Sequence, residues 1–352
     1  MADLSRLRAE SQLLGAERAT DTAGVVARLG ALQAQDLAAT ALAVRARTSG
    51  LTADQVDLDG EGFVRTWLMR GTLHAVAADD AGWMLDLLGP VNRAKGARRR
   101  TQLGLDDELC ERAVEVLPAV LADGPLGRAE VVSRLASHGV EISPDGQAAP
   151  HLLGYAASRG VLCLGPELGR GKATYRLLEA SSELSREEAL AELARRYLRG
   201  HQPAGPADFA AWSGLSARDA KAAFASLDSE IVPLGPFWTL GAAAEVPSPG
   251  SIRLVGHFDP YLLGYADKTA VVPSEYVARV RTGGGFVTPT VLVDGEAVAI
   301  WRQKGAALTV EPFEPLADDV RAAVEAEVTD IGRFLDTPVR LQMGHGHLGD
   351  AN

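Results

Sequence analysis

The sequence predicts an α+β fold: tandem winged helix-turn-helix units followed by a β-rich C-terminal part. Three observations predict it. Apolar residues recur at helical spacing through most of the first hundred residues. Two segments in the middle of the chain then repeat one order of parts, helices followed by a two-stranded ribbon. From about residue 250 the pattern changes to that of strands. The organisation expected is a helical or winged-helix unit over 1–100, a second unit over 101–180, a third over 181–245, a β-rich region over 246–340, and a tail over 341–352.

In the first part, Ser5 to Leu14 and Asp21 to Leu32 have helical spacing, with Thr20 or Asp21 as N-cap and Gly30 disturbing the far end. Thr40 to Arg47 resumes the helix, and Thr52-Ala53-Asp54-Gln55 reads as the cap of a further short one. Phe63 to Val76 is rich in β-formers, with Gly71 as a turn or bulge, and reads as a strand pair before a helix from Ala78 to Leu88. If that stretch ran without a bulge, Thr66, Arg70 and His74 would share one face.

The first repeated segment has helices over Asp106–Leu121, Ala129–His138 and Gln147–Arg159. A ribbon follows, Val161–Leu164 and Thr174–Leu178, with a Gly-rich tip at 165–171. The second has helices over Arg186–Arg199, Ala207–Ser213 and Ala217–Leu227, then Ile231–Leu234 and Phe237–Leu240 as the ribbon. Winged units dock helices on DNA but also serve as protein scaffolds. Phe209 and Trp212, at i and i+3, read as core rather than base-stacking residues. Further on, Thr290 to Arg302 is a hairpin with Asp294-Gly295 at its turn, Leu308 to Phe313 adds a strand, and Asp318 to Leu335 is a helix.

Composition narrows the function. A chain of 352 residues, 47% hydrophobic, exceeds the size at which one core keeps growing. No run of about 18 uncharged apolar residues occurs and the N-terminus lacks a signal-peptide core, so a cytoplasmic protein with no membrane partner is expected. Cys110 and Cys163 are far apart and lack metal-ligand spacing. A net charge of -11 argues against bulk nucleic-acid binding, yet charge is segregated: Arg93, Lys95, Arg98, Arg99 and Arg100 form a basic run free of acids. That run is either a solvated face or a focused phosphate strip. Dinucleotide-binding, P-loop and nucleophile-elbow signatures are absent. The histidines form no helical metal pair, and His345 and His347, in the tail, are discounted as ligands, so neither metal nor cofactor is expected.

The most informative stretch is Leu32-Gln33-Ala34-Gln35-Asp36. On a helix, positions i and i+2 point to nearly opposite faces, so Gln33 and Gln35 can act on one object only where the chain is extended or turning. Otherwise they are solvated helix-end residues. Asp36 is either a base or the N-cap of the following helix, the cap being favoured.

Taken in order, Leu32–Asp36, Arg65–His74, the ribbon 161–178, Ala207–Leu215, His257–Tyr265 and Pro289–Gly295 resemble the AlkZ and YcaQ-like DNA glycosylases over nearly the whole chain. Gln33-Ala34-Gln35 looks like the Gln-x-Gln, AlkZ-like branch rather than the branch with aspartate, although Ala34 is smaller than the expected branched residue. The resemblance implies winged-helix units around a concave DNA channel and catalytic Gln33 and Gln35. It also implies hydrolysis of the N-glycosidic bond of N7-alkylated purines, including unhooking of interstrand crosslinks made by alkylating natural products. The partner would be double-stranded DNA carrying such lesions, and the enzyme a monomer. DNA contacts are expected from Arg65, Arg70, Thr72 and His74, from Arg98, Arg99 and Arg100, and from His257, Asp259 and Lys268. For the first group the alternative is a buried polar network, and for His257 and Asp259 a loop-bracing hydrogen bond. Competing functions are a noncatalytic winged-helix DNA-binding protein or regulator, and a protein that sequesters a drug or its adduct. Against the regulator, the candidate recognition helices are poor in the side chains that read base edges.

Overall fold

The structure, a computed structural model, describes residues 2–143, 145–169, 171–241, 245–283 and 285–344. Residues 345–352 of the expected tail, His345 and His347 among them, lie outside the described residues, as does Arg170 in the expected Gly-rich tip. The fold is mixed α+β, and the chain divides into two compact units. The larger takes residues up to 57, 194–212 and those from 216 on; the smaller takes 58–193 and 213–215. Among the described residues no helix is long and apolar enough to cross a membrane.

In the larger unit a five-stranded sheet has the spatial order Arg340–Met343, Ala307–Pro312, Glu296–Lys304, Thr290–Val293, Ile252–Val255. All pairs are antiparallel except the first, so the residues expected to begin a tail form a parallel edge strand instead. The expected hairpin turn is present: Asp294 (φ 51°) and Gly295 (φ 79°) are both left-handed, the conformation a two-residue turn between twisted strands requires. A Cβ on Gly295 would lie 2.4 Å from the Ser5 carbonyl oxygen, so only glycine fits. Helix Asp318–Phe334 closes the sheet by burying Val324, Val328 and Ile331 against Leu254, Val291, Trp301 and Val310. Each such aliphatic burial contributes about 1.5–3 kcal/mol. Phe209 and Trp212 are core, as expected, stacked on each other and tilted against Tyr197 in an aromatic cluster.

The smaller unit contains strands in the order Leu73–Ala77, Phe63–Trp67, Leu162–Gly165, Thr174–Leu177, Leu126–Gly127. Helices Asp107–Val120, Arg128–Ser137 and Ala148–Ser158 pack on them around Leu117, Leu135, Leu152 and Leu162. Two local expectations change here. The helix from Ala78 runs to Gln102 rather than ending at Leu88, carrying Pro90 inside it. Gly89-Pro90 looks like a stop in sequence, and the following turns lack an apolar stripe. They are held instead by polar contacts: Asn92 Nδ2 donates to the Leu68 carbonyl at 2.7 Å and Arg99 to Gln147 Oε1 at 2.6 Å.

The strand pair expected from Phe63 is present as a hairpin turning at Leu68–Thr72, and the second change is that Thr66, Arg70 and His74 do not share one continuous face. Thr66 therefore meets His74 as a cross-strand partner, Arg65 meets Ala75, and Arg70 sits in the turn at φ 57°.

Candidate active site

The glutamine pair is built by a change of backbone direction. Leu32 and Gln33 are extended, Gln35 and Asp36 lie in a bend, and helix Leu37–Arg45 begins immediately after. The buried Ala34 methyl is the pin between them, and the glutamines on either side project outward, Gln35 exposed and Gln33 partly so. Gln33 Nε2 donates to Gln35 Oε1 at 3.0 Å. The two amides thus form one polar unit, the arrangement that i, i+2 spacing denies to a helix. That hydrogen bond leaves Gln33 Oε1 and a second lone pair on Gln35 Oε1 to accept from another molecule.

Two side chains fix this turn. Thr40 Oγ1, one helical turn on, is 2.9 Å from the Gln33 carbonyl and 2.8 Å from that of Asp36. Asp36 Oδ1 accepts from the backbone amides of Ala38 and Ala39 at 3.0 and 3.1 Å, the favoured N-cap role. Asp36→Asn should therefore keep both the cap and the rate of base release, whereas Asp36→Ala should lose about 1 kcal/mol of stability. Thermal denaturation beside a single-turnover assay checks this; a large rate loss in the Asn variant with unchanged stability would make Asp36 a base.

The far end of the same helix is clamped by buried charge. Arg45 reaches Glu327 at 2.9 Å and Asp330 at 2.8 Å. Arg47, just beyond, pairs with Asp259 through both guanidinium NH₂ groups, at 2.9 and 2.7 Å, with both side chains fully buried. Asp259 is thereby corrected from a DNA contact to an internal brace; its Oδ1 also caps the short helix Pro260–Leu263. Arg47, which sequence reasoning passed over, carried no signal beyond being an arginine in an apolar helix end. His257 is half-buried, with Nδ1 3.0 Å from the Val287 carbonyl and its ring against Phe286. Lys268 is partly buried and donates to the Tyr265 carbonyl.

In the smaller unit Arg65 is 3% exposed and bonded to Asp59, so it too is a network residue rather than a phosphate contact. His74 is likewise buried: burial first, then the nearby Arg70 charge, push its pKa down to about 3, and its Nδ1 lies 2.9 Å from the Thr72 carbonyl. It is neutral at physiological pH and offers no cation to DNA. The unfolded chain binds this proton below about pH 6.5 while the folded one refuses it until about pH 3, so stability falls as pH drops through that window. His74→Gln should therefore lose less stability than the parent between pH 7 and 5, read as melting temperature against pH; equal slopes would contradict the assignment. Arg100 is 6% exposed, lying over the Tyr155 ring, and is corrected from an open contact to a recessed one. Thr72 is partly buried and hydrogen-bonds the Met69 carbonyl, while Arg98 and Arg99 are exposed.

A family model described as DNA glycosylase AlkZ-like matches residues 26–334. The chain is 28% identical to an interstrand DNA cross-link repair glycosylase of Streptomyces sahachiroi, over 93% of this chain and 94% of that protein. It is also similar to the solved structure of Streptomyces sahachiroi DNA glycosylase AlkZ, with a TM-score of 0.81 and 26% identity, covering 97% of this chain and 99% of that one.

Proposed function

This chain belongs to the AlkZ-like DNA glycosylase family, and from that premise we propose that it hydrolyses the N-glycosidic bond of N7-alkylated purines in duplex DNA, interstrand crosslinks included. The observation that carries the reading is the Gln33–Gln35 amide pair, held in an outward bend by Thr40 and Asp36. Similarity to a cross-link repair glycosylase supports the crosslink as a substrate. The repeated helix-and-ribbon order supports tandem winged-helix units, with DNA in the concave channel that the resemblance implies. A cytoplasmic enzyme acting as a monomer completes the reading.

Alkylation at N7 makes the purine cationic, so it departs neutral and needs no strong acid. What the protein must supply is a placed water and a stabilised sugar. A water donating one hydrogen to Gln33 Oε1 and the other to Gln35 Oε1 directs its lone pair outward, at C1′ of the deoxyribose. The same two carbonyl dipoles stabilise the oxocarbenium-like charge that develops there. As the C1′–N9 bond breaks, the bonding pair leaves with the base; the water oxygen bonds C1′, and its proton passes to solvent. An amide is no base at neutral pH, so its contribution is position rather than proton transfer. Arg70, Thr72, Arg98, Arg99, the recessed Arg100, His257 and Lys268 are the DNA contacts we retain. Release of N7-methylguanine from one duplex, and unhooking of an N7-linked crosslink in another, test the reading; duplex binding without either product would refute it.

A further inference from the structure

The smaller unit contains a cavity of ≈ 400 Å³ whose described lining has no carboxylate, in a protein of net charge -11. Its walls carry Arg70, Arg93, Lys95 and Arg100, with the Trp67 ring as an apolar side. The volume falls within the range of small-molecule sites, about 300–1,000 Å³. Three devices build it. Helix Ala78–Gln102 presents Arg93, Gly96 and Arg100 on one face, and a Cβ on Gly96 would lie 3.0 Å from Arg100 NH1, so the glycine leaves room for the guanidinium. The hairpin turn puts Arg70 into the wall from a left-handed backbone that costs an arginine about 1–2 kcal/mol. Local hydrogen bonds hold that turn, Leu68 to Thr72 at 3.1 Å and Asn92 to Leu68 at 2.7 Å.

Three of these cations donate to neutral acceptors. Arg93 donates to the Ser158 carbonyl at 2.5 Å, Arg100 to the Arg93 carbonyl at 2.9 Å, and Lys95 to the Gly214 carbonyl at 2.6 Å. Arg100 is more than nine-tenths buried and its Nε has no hydrogen-bond partner among the described residues. Burial lowers the pKa of Arg70 and of Arg93, the cost of holding cations partly out of water. Glu111, bonded to Tyr155 and Arg159, lies behind the wall and not in the lining.

We propose that this cavity is a phosphodiester-binding pocket, seating a backbone phosphate of the DNA between Arg93, Lys95 and Arg100 with its sugar against Trp67. The proposal rests on the reading of the chain as an enzyme acting on DNA and names the surface that holds the strand. An anion entering such a pocket gains charge-assisted hydrogen bonds from donors already oriented and only partly solvated.

The test measures duplex affinity by fluorescence anisotropy over a salt series, for the parent protein, Lys95→Gln, Arg93→Gln and the control Arg321→Gln, an exposed arginine paired with Asp318. Each pocket variant should bind roughly three- to tenfold more weakly at low salt and reduce the slope of log affinity against log salt by about one, the signature of one lost phosphate contact. The control should match the parent. Pocket variants that keep the parental slope overturn the proposal, while base release by the parent keeps the glycosylase reading standing. Inorganic phosphate that raises the melting temperature of the parent but not of the pocket variants, with duplex affinity unchanged in all, also overturns it, assigning the pocket to a free phosphate compound. A parent that neither binds duplex nor releases base refutes both readings together.

Discussion

Gln35→Ala and Gln33→Ala should each slow base release from an N7-methylguanine duplex by about 10²–10³-fold under single-turnover conditions, with duplex affinity and melting temperature near the parental values. The magnitude is that of removing one preorganised dipole from a developing charge. It corresponds to roughly 2.7–4 kcal/mol of transition-state stabilisation. Stability is spared because Gln35 is exposed and Gln33 half-exposed, while the groups that hold the turn, Thr40 Oγ1, the Asp36 cap and the Ala34 methyl, are untouched. The double variant should be little slower than either single one, since one water shared by two acceptors is lost with either. Gln35→Glu separates position from proton transfer. A carboxylate there would make the rate rise with pH through the carboxylate range, whereas the parent with its amide pair should show no such rise. Variants that release base at the parental rate would remove Gln33 and Gln35 from the active site, whatever the substrate.

The glutamine pair was legible because its spacing contradicts its surroundings: helical periodicity on both sides, and an i, i+2 polar pair that no helix face can use. The Asp294-Gly295 turn, the Asp36 cap and helix Asp318–Phe334 were legible for the same kind of reason, each being dictated by residues within a few positions. Arg65, His74 and Asp259 were not. Whether such a side chain faces solvent or the interior depends on partners far along the chain, as Asp259 does on Arg47, 212 residues away. The cavity was illegible as a cavity although its cations were visible as a basic run: Gly89-Pro90 hid the helix that aligns them, and Arg70 joins them only through a left-handed turn that a continuous strand would not contain.

Asp259→Ala should destabilise the fold by about 3–5 kcal/mol, well beyond the loss of the Asp36 cap, because it strands the Arg47 guanidinium in a fully buried site. Of the remaining partners, Gln12 Oε1 at 2.9 Å and the Ala43 carbonyl at 2.9 Å are neutral, and Arg47 Nε already has no partner among the described residues. The melting temperature should fall by roughly 10 °C. Replacing the pair together, Arg47→Met with Asp259→Leu, should recover much of that loss, since the penalty lies in the unpaired charge and not in the absence of the bridge. The consequence reaches the reaction through one helix. Leu37–Arg45 carries the glutamine bend at its N-terminal end and the Arg45 and Arg47 clamps at its C-terminal end. Loosening that end lets the helix shift, and with it Thr40 and the Gln33 carbonyl that it holds. Asp259→Ala, assayed well below its melting temperature, should therefore lower the single-turnover rate while leaving duplex affinity unchanged. A variant with parental stability and weakened DNA binding would instead return Asp259 to the DNA surface.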